Sequence, residues 1–132
     1  MVLIAWTEAQ HGTKVRFVGA EYKELFSLLN KLYDNATRGA ARSQVGSSLD
    51  TLIIFVVGHF SHEEKEMIAK NYSGYDRHKE EHTKLLKTCG GLQIGFHAGE
   101  AEVTVEVGNM VKDWLDHHIP TFDAAFADAL NS

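Results

Sequence analysis

The stretch GHFSHEEKEM, Gly58 to Met67, sets two histidines and three glutamates directly behind the apolar run LIIFVV, Leu52 to Val57. Each helical residue advances the face by about 100°. His59, three residues after Val56, and Glu63, three after Phe60, therefore fall on the apolar stripe, whereas Glu64, Lys65 and Glu66 turn away from it. An unpaired carboxylate on a buried face costs on the order of several kcal/mol. Half of this motif is therefore directed inward and calls for a partner.

The flanking sequence supports a helical reading. Leu49, Leu52, Ile53, Val56, Phe60 and Met67 share one face of a helix spanning about Ser48 to Asn71. Upstream, Tyr22, Leu25, Phe26, Leu29, Leu32 and Tyr33 follow the spacing of a single helical stripe. After NYSGYD, a third helix aligns His78, His82, Leu85 and Cys89, and the glycine-rich CGGLQIGFHAG is expected to end it. From about Glu100 a fourth places Val107, Met110, Val111, Trp114 and His118 together. EVTVEV alternates with a period of two, but the pattern beyond Val107 is helical. Four amphipathic helices with short connections predict an all-α fold. The expected architecture is an antiparallel up-down four-helix bundle, with residues 1–18 as an irregular arm and TFDAAFADAL as a short C-terminal helix.

Composition narrows the possible functions. A chain of 132 residues that is 44% hydrophobic suits one domain, residues 1–132. The net charge of −5 comes without a basic block, which argues against nucleic acid or an anionic membrane as partner. No apolar run reaches membrane-spanning length, and MVLIAW is too short for a signal-peptide core, so a cytoplasmic protein is expected. Cys89 is the only cysteine, which excludes an internal disulfide and a cysteine metal cluster; it reads as a small core residue near a helix end.

Ionisable groups recur on the inward faces. His78 and His82 form an i, i+4 pair able to reach one metal ion, and His118 lies one turn after Trp114. A lone inward histidine is usually a hydrogen-bonded core residue. Four imidazoles and a glutamate converging on one axis instead call for a cation. Asp123, five residues after His118, would point about 140° away on a continuous helix, but Pro120 allows the chain to bend and return it to the centre. The alternative is Asp123 as N-cap of the terminal helix. His11, His62, His97 and His117 fall off the stripes and read as solvated.

These elements resemble the hemerythrin family, and specifically its single-domain bacterial members: Trp6, EYKELF, HFSHEE, HKEEH and WLDHHIPTFD stand in the family's order and spacing. The resemblance implies a non-haem di-iron centre that binds O2 reversibly. It implies that His78, His82 and His118 hold one iron, that His59 holds the second, and that Glu63 and Asp123 bridge them. Mixed imidazole and carboxylate ligands suit iron. O2, or another small diatomic or anionic ligand, is the implied partner. The oligomeric state is left open, and a monomer is compatible with it. The function implied is O2 storage, delivery or sensing; the alternatives are a di-iron enzyme reducing peroxide or a related small oxidant, and a metal-binding remnant.

The chain departs from the family pattern at one position. Tyr22 stands where the family has a further histidine on the first helix, and Gly19 where it usually has aspartate. The departure falls on the second iron, where the family binds O2. Three roles are open to Tyr22: a tyrosinate ligand, a protonated phenol beside an open coordination position, or a core aromatic alone.

Overall fold

The structure, a computed structural model, describes residues 16–100, 102–103 and 105–130. Trp6, His11 and nearly all of the expected N-terminal arm lie outside the described residues. Helix α1 runs Arg16–Thr37, α2 Arg42–Ala69, α3 Tyr75–His97 and α4 Val105–His118. A π turn over Ile119–Asp123 then leads into a short α5, Ala124–Leu130. Helix α1 packs on α2 and α4, and α2 packs on α3. The result is the expected antiparallel bundle, with no strand among the described residues.

The sequence stripes become the core. Tyr22, Leu25, Phe26, Leu29, Leu32 and Tyr33 are all buried, facing Leu49, Leu52, Val56 and Phe60 of α2. Fully burying side chains of this size contributes roughly 1.5–3 kcal/mol each. Asn35 donates to Ser48 Oγ at 2.7 Å, tying α1 to α2 inside this apolar layer.

Helix ends depart from the expectations in identifiable ways. Helix α1 begins at Arg16, so residues 16–18 belong to it rather than to an arm. It closes at Gly39, whose φ of +76° lets Ala40 N–H donate back to Asn35 O at 3.1 Å. Helix α2 starts at Arg42, six residues before the expected Ser48. Gly90 and Gly91 do not end α3: both are helical, and Cys89 is interior to the helix rather than near its end. The stop comes at Gly99 (φ +79°), where Gly99 N–H donates to Phe96 O and Glu100 N–H to Gly95 O. That pair of bonds satisfies the last free carbonyls, which an interior glycine does not do. Glu102 and Val103 precede α4, which starts at Val105 rather than Glu100. On α4, Met110 is exposed rather than on the seam; Val111 and Leu115 are buried, as is Ile119 at the start of the π turn.

Candidate metal centre

Near the end of the bundle where α3 begins and α4 stops, α2 contributes His59 and Glu63, α3 contributes His78 and His82, and α4 with its π turn contributes His118 and Asp123. All six are essentially buried. The π turn decides the last of these placements. Pro120 has no N–H to donate back along the helix, and Ala124 N–H reaches Ile119 O five residues earlier. The widened turn directs Asp123 inward, where its Oδ1 lies 3.0 Å from His118 Nε2 and 2.8 Å from His78 Nε2. An N-cap role for Asp123 does not describe this placement.

The donor atoms of His78, His82, His118 and Asp123 all lie within 4.8 Å of one another. His118 Nε2 is 3.1 Å from His78 Nε2 and 3.2 Å from His82 Nε2. Glu63 Oε1 sits between His59 Nε2, at 3.2 Å, and His82 Nε2, at 3.5 Å. These atoms converge on a common space: the Nε2 atoms of three imidazoles crowd together at hydrogen-bond distance, while the carboxylate oxygens that face them lack hydrogen-bond geometry. Both Glu63 oxygens, Asp123 Oδ1 and the Nδ1 atoms of His78 and His118 have no hydrogen-bond partner. Buried polar atoms left in this way are rare and costly. A cation held by the converging nitrogens and oxygens would satisfy the inward-facing atoms, so the donor set fits a metal.

Comparison with known proteins gives the same answer. The family model of the hemerythrin HHE cation binding domain matches residues 13–130. The chain belongs to the hemerythrin family. It is 46% identical over 132 residues to the bacteriohemerythrin of Methylococcus capsulatus, covering 100% of both chains. It is 34% identical over 110 residues to the hemerythrin-like protein of Naegleria gruberi, covering 83% of this chain and 80% of that one. A crystal structure of wild-type hemerythrin, 45% identical, superposes with a TM-score of 0.94 over 98% of this chain and 99% of the other. The hemerythrin family binds a di-iron centre, and the buried cluster here has the residue types to hold one.

Within this hemerythrin fold the side of the cluster at His59 is built differently from the side at His78, His82 and His118. Tyr22, fully buried on α1, donates its hydroxyl to Asp123 Oδ2 and meets the His59 ring edge-on, centroids 5.3 Å apart. Tyr22 thus occupies the space between His59 and Asp123. Burial first, then the charges of Asp123 and Glu63, push its phenol well above its usual pKa.

The protonation of the cluster follows from burial and neighbours. Burial pushes His82 down to about 2, with His78 and His118 adding to the effect, so its ring stays neutral and its lone pair available. His59 goes the other way: burial opposes its charge, but Glu21 and Glu63 outweigh it and raise the ring to about 10. Burial, reinforced by Asp123, raises Glu63 above the usual carboxylate range. Burial would raise Asp123 too, yet contact with His118 and His78 holds it far below.

Two carboxylates that contact the cluster have no counterpart in the sequence expectations. Glu64 does not simply turn away: its Oε2 accepts from His82 Nδ1 at 2.9 Å. Glu21 of α1 accepts from His59 Nδ1 at 2.6 Å and lies 3.0 Å from His62 Nδ1. A metal-bound imidazole commonly donates its outer N–H to such a group. Their adjacency to Glu63 and Tyr22 was the available signal, but a carboxylate at a stripe's edge looks the same as a solvated one. His62, His97 and His117 are exposed, as expected, though His62 meets Glu21 and His97 meets Asp50 at 2.8 Å. Aromatic rings complete the enclosure. Phe60 stacks on His82 at 3.8 Å with the planes 2° apart, and Trp114 stacks on His118 at 4.1 Å.

Proposed function

We propose that this chain holds two iron ions between its helices and binds O2 there, with His78, His82 and His118 at one iron, His59 at the other, and Glu63 and Asp123 bridging. The observation that carries this reading is the convergence of three Nε2 atoms and a carboxylate oxygen within 4.8 Å, beside a buried glutamate with no hydrogen-bond partner. When bound, the iron pair supplies the electrons needed to hold O2 reversibly. The chain's own groups supply the rest. Glu63 and Asp123 offset the metal charge, Glu64 orients His82, and the stacked rings of Phe60 and Trp114 restrict imidazole rotation and exclude water.

For Tyr22, the hydroxyl's contact with Asp123 Oδ2 supports a protonated hydrogen-bond donor over a tyrosinate ligand. Full-length similarity to a bacteriohemerythrin favours O2 binding over peroxide reduction. We further propose that O2 is bound for storage, delivery or sensing in the cytoplasm. A single cysteine suits a reducing compartment, and among the described residues no helix is long and apolar enough to cross a membrane.

Elemental analysis together with O2 titration of the reduced protein tests this function. Two irons per chain and a visible spectrum that reverses when O2 is removed are expected. Peroxide turnover without a reversible spectrum would replace the reading with the enzymatic one. Glu63→Ala and Asp123→Ala should each lower iron content sharply, and full occupancy in both would remove the bridging assignment.

A further inference from the structure

His59 and His62 lie three residues apart on α2, so both rings project from neighbouring positions toward α1. Between them sits one carboxylate, Glu21. Its Oε1 is 2.6 Å from His59 Nδ1 and its Oε2 is 3.0 Å from His62 Nδ1. The three groups run from surface to core: the His62 side chain is 45% exposed, Glu21 25% and His59 1%. Glu21 is therefore held on both oxygens by one helix while it belongs to another.

A carboxylate facing Nδ1 decides what the opposite nitrogen does. With the Nδ1–H of His59 donated to Glu21, Nε2 is turned inward, 3.2 Å from Glu63 Oε1, where a metal would take its lone pair in place of the ring's second proton. Glu64 does the same for His82, whereas the Nδ1 atoms of His78 and His118 have no partner. The first metal position has three imidazoles, so a poorly oriented ring there leaves two others. The second has His59 alone, because Tyr22 is occupied with Asp123. Glu21 also immediately precedes Tyr22, so the clamp that fixes one also fixes where the other enters the core.

We infer that Glu21, clamped between His59 and His62, is the positioning residue of the second metal position, and that metal retention there depends on this clamp. The inference rests on the di-iron reading proposed above. His62 secures Glu21 from the solvent side rather than serving as a ligand, since its ring nitrogen is already directed at the Glu21 carboxylate.

The test is iron content and visible spectrum of the full-length, iron-loaded protein, followed by iron loss to an added chelator. Glu21→Ala should hold the second iron about 10- to 100-fold less tightly, so that iron falls from two per chain toward one while helicity is retained. Glu21→Gln keeps an oxygen that accepts from His59 Nδ1–H; it should retain both irons but shift the absorption bands, because a neutral acceptor makes the imidazole a weaker donor. His62→Ala leaves the His59 bond in place and should speed loss of the second iron without changing the first. Glu64→Ala is the control that perturbs the first position instead. Two irons in Glu21→Ala, lost at the parent rate with the parent spectrum, would overturn the inference and leave the di-iron reading intact. If Glu21→Ala does not fold, an unchanged spectrum and chelation rate in both Glu21→Gln and His62→Ala would overturn it equally. A parent chain that takes up no iron would overturn the di-iron reading itself, and this inference with it.

Discussion

Removing iron from the core should produce a protein whose stability falls steeply with rising pH, and the size of the effect follows from His59. In the metal-free fold its ring titrates at about 10 against an ordinary value of 6.5. A raised imidazole pKa stabilises the fold fully below the ordinary value, and that contribution is lost as pH climbs from 6.5 toward 10. Between pH 7 and 9 the folded chain keeps close to one proton that the unfolded chain has released. At about 1.4 kcal/mol per proton per pH unit, His59 alone costs the metal-free protein about 2.5 kcal/mol over that interval. Glu63 is raised as well, so it acts with the same sign. His82 is depressed to about 2; its contribution is present above the ordinary value and lost toward acid, outside this window.

For a chain of this length, about 2.5 kcal/mol lowers the thermal midpoint by about 8–12 °C. The iron-loaded protein lacks the slope, because a ring that gives Nε2 to a metal cannot take a second proton. The assay is circular dichroism melting of loaded and chelated protein at pH 7, 8 and 9. The two midpoints should diverge as pH rises, with the chelated protein lower throughout, since its converging polar atoms have no partner. Parallel curves, or a chelated protein melting with the loaded one, would show that His59 and Glu63 are solvated and that the inward-facing site is wrong.

Tyr22→Phe removes the donor to Asp123 Oδ2 and should abolish no visible band in the oxidised protein; loss of a broad charge-transfer band would instead identify Tyr22 as an iron-bound tyrosinate. Phe60→Ala opens a cavity against the stacked His82 ring and should cost about 3–5 kcal/mol in urea unfolding, whereas a loss below about 1 kcal/mol would mean that this packing is not maintained. Burial pushes the Cys89 thiol up to about 11, so at pH 8 its alkylation, followed by mass spectrometry, should be about a hundredfold slower in the folded than in the unfolded chain. Equal rates would place Cys89 at the surface.

The sequence alone determined the helical fold and the inward set of His59, Glu63, His78, His82 and His118. Both follow from a local rule, the angle between residues on one helix, which is settled before any helix meets another. Helix ends were less legible: Gly90 and Gly91 looked like a stop, but only at Gly99 does the backbone adopt the left-handed geometry that satisfies the final carbonyls. Three features of the site depended on tertiary structure. Asp123 needed the π turn at Pro120 to turn inward, the role of Tyr22 depended on where that carboxylate arrived, and Glu21 and Glu64 gained meaning only as neighbouring helices brought His59 and His82 against them. A carboxylate at a stripe's edge has the same sequence signature whether it meets water or an imidazole on another helix, and the energy that distinguishes the two arises only when the helices pack.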